Sequence, residues 1–353
     1  MSTTLFDKWV IQPENIGSVK DAINETTFSD EKLEKFVTFK KVKDKDPIAL
    51  IGAMEMVGKK GGGCNPTFDE VGIANSLNRW ELNEWQAPLK ICYNAMKGTI
   101  AEFDLKTGSG IADISGTAVE DVYLDKLNTA LTEMAWRFGW FGDKAAKNVG
   151  SSGKITDGVA TDKFDVCDGL FKKLFAVGAK NAAQVTTIAA NSESTTAAQK
   201  SKLLAKGTAT DIFDHILMDA DSRIVDDPDA VLMVTRSLAD ALTYDIKRTY
   251  SQIMPWEKVF SGFETTTYNG IKIARVSIWD RMINAYEKGT ATLNLPHRAV
   301  FCNPKQLMIG TDTGGAIDTL RNWFNPDTRE YRIDIQGKMG TALLEENLIH
   351  LAY

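Results

Sequence analysis

The chain has 353 residues, of which 43% are apolar and 25% are charged, so a folded core in one large domain or two to three smaller ones is expected. Lys and Arg together number 41 against 47 Asp and Glu, which gives a formal net charge of −6. Tight binding to nucleic acid needs a concentrated basic face. This charge balance therefore argues against a protein whose main activity is binding the phosphate backbone of nucleic acids.

The four cysteines are scattered without CxxC or Cys/His spacing, and the three histidines are also far apart: Cys64, Cys92, Cys167, Cys302, His215, His297 and His350. This spacing favours reduced thiols over a disulfide framework or a zinc site. The N-terminus lacks the apolar run of a secretory signal, and no stretch approaches the ~20 apolar residues that span a bilayer. We expect a chain that folds in the cytoplasm, with no cofactor and no membrane contact.

The N-terminal part of the chain predicts extended segments. An apolar cluster precedes Pro13, and a charged run over 30–46 is interpreted as a solvated face. A strand at 48–51, a glycine-rich tip at 58–63 and period-two apolar residues from Ala87 onward predict a long hairpin-like excursion. Because so thin an element cannot bury its own apolar side chains, we expect exposed contacts with a partner. The candidate contact residues are Leu5, Phe6, Trp9, Trp80, Leu82, Trp85 and Leu89.

A long amphipathic helix is predicted over 118–138, because apolar residues recur there at three- and four-residue spacing. Thr117 and Glu120 fit a capping box at its start. A Gly/Ser loop and a shorter helix over 165–175 are expected to follow. The stretch 182–209, rich in Ala, Ser, Thr and Lys, is interpreted as weakly ordered strand or loop.

The segment 208–303 alternates helices and strands. A helix from Thr210, a buried strand over 230–235 and a helix with Ser237 and Asp240 as its capping box are predicted in turn. The dipeptide Asn269-Gly270 then indicates a two-residue hairpin turn. A last strand over 298–302 completes the segment. Strands return at 331–335 and 348–351, and the terminal one is expected to be docked in a sheet.

Motifs that would carry chemistry are incomplete. Gly150–Lys154 resembles the end of a phosphate loop, but Asn148 stands where a glycine is required and Ile155 where Ser or Thr should bind magnesium. Gly310–Gly315 lacks the GxGxxG order and is interpreted as a surface turn, and the carboxylates over 219–229 lack the pattern of a calcium loop. No local pattern marks a nucleophile or a catalytic base. We therefore assign no catalytic, cofactor-binding or metal residue and do not expect an enzyme.

The order of the parts resembles that of the tailed-bacteriophage major capsid proteins, whose fold is named for phage Hong Kong ninety-seven and is shared by encapsulins. The resemblance is carried by the apolar arm, the hairpin excursion and the long helix, together with Asp168–Leu174, strand 230–235, helix 237–250, Tyr268–Ile273 and Ala299–Pro304. It implies an α+β fold in four parts. These are an N-terminal arm (1–45), an extended loop (46–103), a peripheral domain with the spine helix (104–207 and 324–353) and an α/β axial domain (208–323).

The function implied by this resemblance is that of a structural protein. It would self-assemble into pentamers and hexamers of an icosahedral shell around a tailed phage's double-stranded DNA, touching that DNA only weakly. The implied partners are other copies of the chain, a separate scaffolding protein, a portal and decoration proteins. The implied location is the virion capsid, assembled in the host bacterial cytoplasm. Two alternatives stay open: an encapsulin-like compartment shell, and an α/β enzyme or small-molecule binder centred on 208–323.

Overall fold

The computed structural model describes residues 33, 35–54, 73–92, 118–251, 253–258, 264–312, 319–325 and 330–353. Within them the strands are β1 (Thr38–Lys41), β2 (Pro47–Met54), β3 (Ile73–Arg79), β4 (Asn83–Cys92), β5 (Val185–Thr186), β6 (Val231–Val234), β7 (Glu257–Lys258), β8 (Glu264–Tyr268), β9 (Ile271–Arg275), β10 (Ala299–Cys302), β11 (Leu307–Thr311), β12 (Thr319–Asn325), β13 (Glu330–Leu343) and β14 (Ile349–Ala352). The α-helices there are α1 (Ala118–Phe141), α2 (Leu170–Lys180), α3 (Thr196–Leu203), α4 (Thr208–Asp219), α5 (Ser222–Val225), α6 (Arg236–Tyr250) and α7 (Ser277–Tyr286).

A seven-stranded mixed sheet with the order β5-β14-β10-β6-β9-β8-β7 lies at the centre of the C-terminal two-thirds of the chain. Its two central strands, β6 and β10, are apolar at every position because both faces are covered. In β6, Leu232 and Val234 enter one apolar cluster, whereas Met233 enters the other. In β10, Phe301 enters the same cluster as Leu232, and Val300 enters the same cluster as Met233. The continuous apolar run at 230–235 is therefore explained by burial on two sides.

Different helices cover the two faces of this sheet. Buried residues of α4 and α6 pack on one face, including Phe213 and Leu242. On the other face, the C-terminal half of α1 packs with α2 and α7 around an aromatic group. The rings of Trp140 and Trp279 are 4.7 Å apart, and Phe171 lies 4.9 Å from Trp279. The largest core of the described residues thus joins the spine helix to the seven-stranded sheet.

The second sheet is organised by the long strand β13. Residues 330–339 of β13 pair with all ten residues of β4, and residues 330–336 pair on the other side with β12. The end of β13 pairs with β11, which in turn pairs in parallel with β1. The sequence interpretation placed 83–92 in the extended loop. In the structure β4 is a full member of the sheet built on β13, and the division of the chain into four parts stays a prediction.

The strands β2 and β3 form a separate antiparallel hairpin from the pair Pro47 and Arg79 to the pair Met54 and Ile73, with an irregularity after Ile51. Within the described part of the chain, neither strand pairs with a third. The predicted hairpin excursion is therefore confirmed for 47–54 and 73–79. The predicted glycine-rich tip lies outside the described residues.

Several local predictions need correction. The spine helix extends to Phe141 rather than ending at 138, and the next helix begins at Leu170 rather than at 165. The stretch 182–209 is not weakly ordered, since it contains β5 and α3. The strand β14 is docked as expected, but in the seven-stranded sheet between β5 and β10. Thr117, of the predicted α1 capping box, lies outside the described residues.

Two predictions from short sequence patterns, a turn dipeptide and a capping box, had opposite outcomes. Asn269 and Gly270 both have positive φ, 48° and 85°, and they join β8 to β9 as predicted. The capping box of Ser237 and Asp240 is wrong, because the side chain that caps α6 comes from α7. The Asp280 carboxylate accepts hydrogen bonds from the backbone N–H groups of Arg236 and Ser237 at 2.5 and 3.0 Å.

Candidate functional site

The base of the β2–β3 hairpin is fixed to the sheet by a short crossing segment, Trp80-Glu81-Leu82. The N–H of Trp80 donates to the carbonyl of Asp46 at 3.0 Å, and the N–H of Lys45 donates to the carbonyl of Trp80 at 2.9 Å. The Asp44 carboxylate also accepts from the N–H of Leu82 at 3.1 Å. These bonds hold the two legs of the hairpin together where they leave the sheet.

Trp80 is buried because two glycines let the crossing segment lie directly on the sheet. Gly310 of β11 and Gly340 of β13 are register partners. A Cβ atom at Gly310 would lie 2.5 Å from Cζ3 of Trp80, and one at Gly340 would overlap the carbonyl oxygen of Glu81. Glycine inside a strand commonly marks such a close approach.

Two sequence interpretations at this point are wrong. Trp80 was expected to be exposed on a thin element, yet only 3% of it is accessible, within a small cluster that includes Ile48 and Met308. Gly310 was expected to begin a surface turn, yet it lies inside β11. The two errors have one cause, because Gly310 inside β11 leaves the space in which Trp80 packs.

Along the inner face of β4, the side chains become more exposed from Trp85 to Leu89. Trp85 is buried in the main core, Ala87 is half-buried, and Leu89 is 42% exposed. The expected exposure of Trp85 is therefore wrong, whereas that of Leu89 is found. On the outer face, Glu84, Gln86, Pro88 and Lys90 are exposed. Within the described residues β13 is the only partner of β4, so β4 forms an edge of the sheet, where proline is tolerated.

The predicted contact residues thus separate into three groups. Trp80 and Trp85 anchor the hairpin base and β4 within the subunit. Leu82 is half-buried and Leu89 is exposed, so both are accessible to a neighbour. The N-terminal candidates, Leu5, Phe6 and Trp9, lie outside the described residues.

A second apolar surface was missed by the sequence interpretation. Tyr244 and Tyr250 of α6 are 51% and 64% exposed, and Ile253, just beyond the helix, is 80% exposed. The buried stripe of α6 includes Leu238, Leu242 and Ile246. Both tyrosines fall outside that stripe, and an aromatic residue on the solvent side of an amphipathic helix is the signal that could have revealed them.

A groove between α3, the start of α6 and α7 has a volume of about 780 Å³ and contains a serine beside a histidine. The Ser237 hydroxyl lies 2.9 Å from Nδ1 of His297, whose Nε2 is 3.4 Å from the carbonyl oxygen of Gln199. Burial lowers the pKa of His297 to about 4, which makes the imidazole a weak base. Asp280 caps α6, and among the described residues no carboxylate is hydrogen-bonded to the ring, so the arrangement lacks the third member of a catalytic triad there.

Another histidine and two cysteines of the described residues are buried. Nε2 of the buried His350 lies 2.8 Å from the Thr186 hydroxyl, across the β14–β5 pair. Cys167 and Cys302 are buried free thiols, and burial raises the pKa of both. Among the described residues no group of three or more His, Cys, Asp or Glu side chains could hold a metal ion. None of the described helices has both the length and the apolarity needed to cross a membrane.

Comparison with known proteins gives structural likeness without sequence likeness. No family model and no curated protein matches the chain. A chain in the procapsid of satellite phage P4, solved with its size determination (Sid) protein, matches with a TM-score of 0.52 and 12% identity, over 95% of this chain and 98% of that one. A chain of Mycobacterium phage Ogopogo matches with a TM-score of 0.53 and 11% identity, over 91% and 90% of the two chains. At such identities the likeness establishes a shared fold.

Proposed function

We propose that this chain, which has the major capsid protein fold named for phage Hong Kong ninety-seven, is the structural subunit of a closed protein shell. The observation that carries the proposal is the β2–β3 hairpin, which has backbone partners only within itself among the described residues. An isolated two-stranded hairpin is marginally stable in water. A neighbouring copy would supply the missing surface.

The exposed side chains support the same proposal. Leu89 continues the apolar inner face of β4 beyond the subunit's own core, and Leu82 lies half-buried at the base of the hairpin. We assign these two residues to contacts between copies, together with Leu5, Phe6 and Trp9 of the N-terminal arm. Each apolar Å² that is buried in such a contact contributes about 25 cal/mol before ordering costs. Modest contacts repeated by symmetry give a stable shell.

The finer proposal is a tailed-phage capsid that encloses double-stranded DNA. Pentamers and hexamers of this chain would form an icosahedral virion shell, assembled in the host cytoplasm with a separate scaffolding protein, a portal and decoration proteins. The net charge of −6 suits a wall that touches packaged DNA only weakly. We assign no catalytic residue and no cofactor.

The test removes the hairpin and leaves its anchor in place. Residues 50–76 are replaced by a short Gly/Ser linker, which keeps Trp80 and its hydrogen bonds. The matched control inserts the same linker after Gly158, which lies at positive φ with open space around it. Both variants are purified beside the unmodified chain, checked by circular dichroism and thermal unfolding, and imaged by negative-stain electron microscopy.

We expect capsomers or closed particles from the unmodified chain and from the insertion control. The hairpin-less variant should keep nearly the same melting temperature and give no particles. A monodisperse monomer of the unmodified chain at high concentration would contradict the proposal. Normal particles from the hairpin-less variant would contradict the role of the hairpin.

A further inference from the structure

A small cavity lies at the end of the spine helix, apart from the hairpin and the edge of β4. It has a volume of about 220 Å³ and is lined by Trp140 and Phe141 of α1, by Phe171 and Phe175 of α2, and by the loop over 142–155. Water occupies ~30 Å³ per molecule in the liquid, so the cavity has room for several water molecules or one small ion.

The acidic groups of the cavity wall are already paired. The Asp143 carboxylate accepts from Nζ of Lys172 at 2.6 Å and from the N–H of Ala145 at 2.9 Å. Glu287 accepts from the guanidinium of Arg298 and, at 3.2 Å, from the side-chain amide of Asn294. Neither carboxylate is left to balance further positive charge.

Two lysines of the wall, both exposed to solvent at its rim, have no such partner. Neither Lys147 nor Lys154 forms an ion pair among the described residues, and Nζ of Lys154 lies 5.7 Å from the ring centre of Phe175. Both are contributed by the loop whose Gly150–Lys154 stretch resembles part of a phosphate loop. The backbone N–H groups of Gly153 and Lys154 donate to carbonyls of Asn148 and Lys147 at 3.0 and 3.1 Å. The loop therefore offers side-chain cations and no cradle of free backbone donors.

Two fully buried donors, one in the cavity wall and one directly behind it, also lack acceptors within the described residues. Trp140 is 0% exposed, and its indole N–H has no hydrogen-bond partner. Arg298 is 1% exposed and stacks against the cavity-lining rings, with Cζ 4.6 Å from the ring centre of Phe171, and its Nη1 is also unpartnered. A buried group without a hydrogen-bond partner is costly, and both of these buried groups are donors.

The geometry points to a binding site for a small oxyanion of the phosphate type in this cavity. An oxyanion would accept a hydrogen bond from the buried indole N–H of Trp140 in the wall and balance the charges of Lys147 and Lys154 at the rim. The site joins α1 to α2, so an occupied cavity would hold the spine helix against the core. This inference is independent of shell assembly.

The test measures phosphate binding by the purified full-length chain and by charge-matched variants. Lys147→Gln with Lys154→Gln removes the two unpaired cations. The control, Lys163→Gln with Lys206→Gln, removes two exposed lysines that do not line the cavity. Isothermal titration calorimetry with inorganic phosphate gives the affinities, and thermal unfolding in phosphate, acetate and chloride at equal ionic strength gives the stabilisation.

We expect phosphate to raise the melting temperature of the unmodified chain more than acetate or chloride does. The cavity variant should bind phosphate at least tenfold more weakly, whereas the control should stay within twofold. Trp140→Phe keeps both lysines and removes the indole N–H together with part of the buried ring, so its fold is checked by circular dichroism; it should weaken binding severalfold. A deoxynucleoside monophosphate that binds as well as free phosphate would identify a phosphate carried on a larger molecule, whereas binding of free phosphate alone would identify the ion. Equal effects of all three salts, or equal losses in the cavity variant and the control, would overturn the inference.

Discussion

The seven-stranded sheet and the β2–β3 hairpin use the same backbone pairing, but they differ in what covers them. Every residue of β10 is buried, because α4 and α6 lie over one face and α1, α2 and α7 over the other. Among the described residues the hairpin has only its own two strands and the anchor at Trp80. The subunit thus covers both faces of its central sheet by itself, whereas among the described residues the β2–β3 hairpin has no third strand.

The largest effect is expected in the sheet's aromatic core. Trp279→Ala removes a fully buried ring in contact with Trp140 and Phe171, and it should lower the free energy of unfolding by about 3–5 kcal/mol. Urea denaturation of both proteins measures the loss. The exposed aromatic Tyr244 is the control, since Tyr244→Ala should cost under about 0.5 kcal/mol. Similar losses from the two variants would remove the distinction between core and surface.

The second expected effect is that the region around the seven-stranded sheet loses stability in acid. In the unfolded chain His297 binds a proton below about pH 6.5, whereas in the fold its pKa is about 4, so the unfolded state takes up the proton first. Stability is therefore complete above about pH 6.5 and is lost as the pH falls toward 4, by roughly 3 kcal/mol in total. The pKa of His350 is also lowered by burial and acts in the same direction, whereas that of Asp280 is raised by burial and opposes it.

The contribution of His297 is isolated by comparing unfolding free energies of the unmodified chain and of His297→Asn between about pH 7 and pH 4.5. The variant should lose less stability on acidification. His215→Asn, at an exposed position, should follow the unmodified chain. A parallel loss in all three proteins would show that His297 is not the group responsible.

An intermediate effect on the free energy of unfolding is expected at Trp80, which anchors the base of the β2–β3 hairpin. Gly310→Ala places a Cβ atom 2.5 Å from Cζ3 of Trp80 and should cost about 1–3 kcal/mol of unfolding free energy. Trp80→Phe should relieve part of this cost in the double variant, which a double-mutant cycle measures. Strictly additive losses would mean that the two residues do not interact.

The smallest effect on subunit stability is expected at the edge of the sheet. Leu89→Ser should change the unfolding free energy by under about 0.5 kcal/mol, because this side chain is already 42% exposed. The yield of assembled particles should nevertheless fall. Gln86→Ser, on the exposed outer face of the same strand, should leave both quantities unchanged. A full particle yield from Leu89→Ser would show that Leu89 makes no contact between copies.

Features that depend on neighbouring residues could be predicted from the sequence. The Asn269-Gly270 turn follows from positive φ at two adjacent positions, and the spine helix follows from apolar spacing. The order of such elements was sufficient to predict the fold.

Features that depend on distant residues could not be predicted in this way. Trp80 is buried because Gly310 and Gly340 come together on neighbouring strands, and α6 is capped by Asp280 rather than by its own residues. Nothing near Trp80 in the sequence signals either glycine. The inner contacts of the candidate site were therefore misassigned, whereas the exposure of Leu89 was predicted correctly.

The strand β13 has a mechanical consequence. Its fourteen residues form one uninterrupted extended backbone of roughly 46 Å, at 3.3 Å per residue, which pairs with β4 and β12 at one end and with β11 at the other. A force applied at Glu330 along β13 would load many backbone hydrogen bonds in shear. The strand would transmit that force to the region beside α2. Tension at the rim of the subunit would then reach its interior without bending a loop.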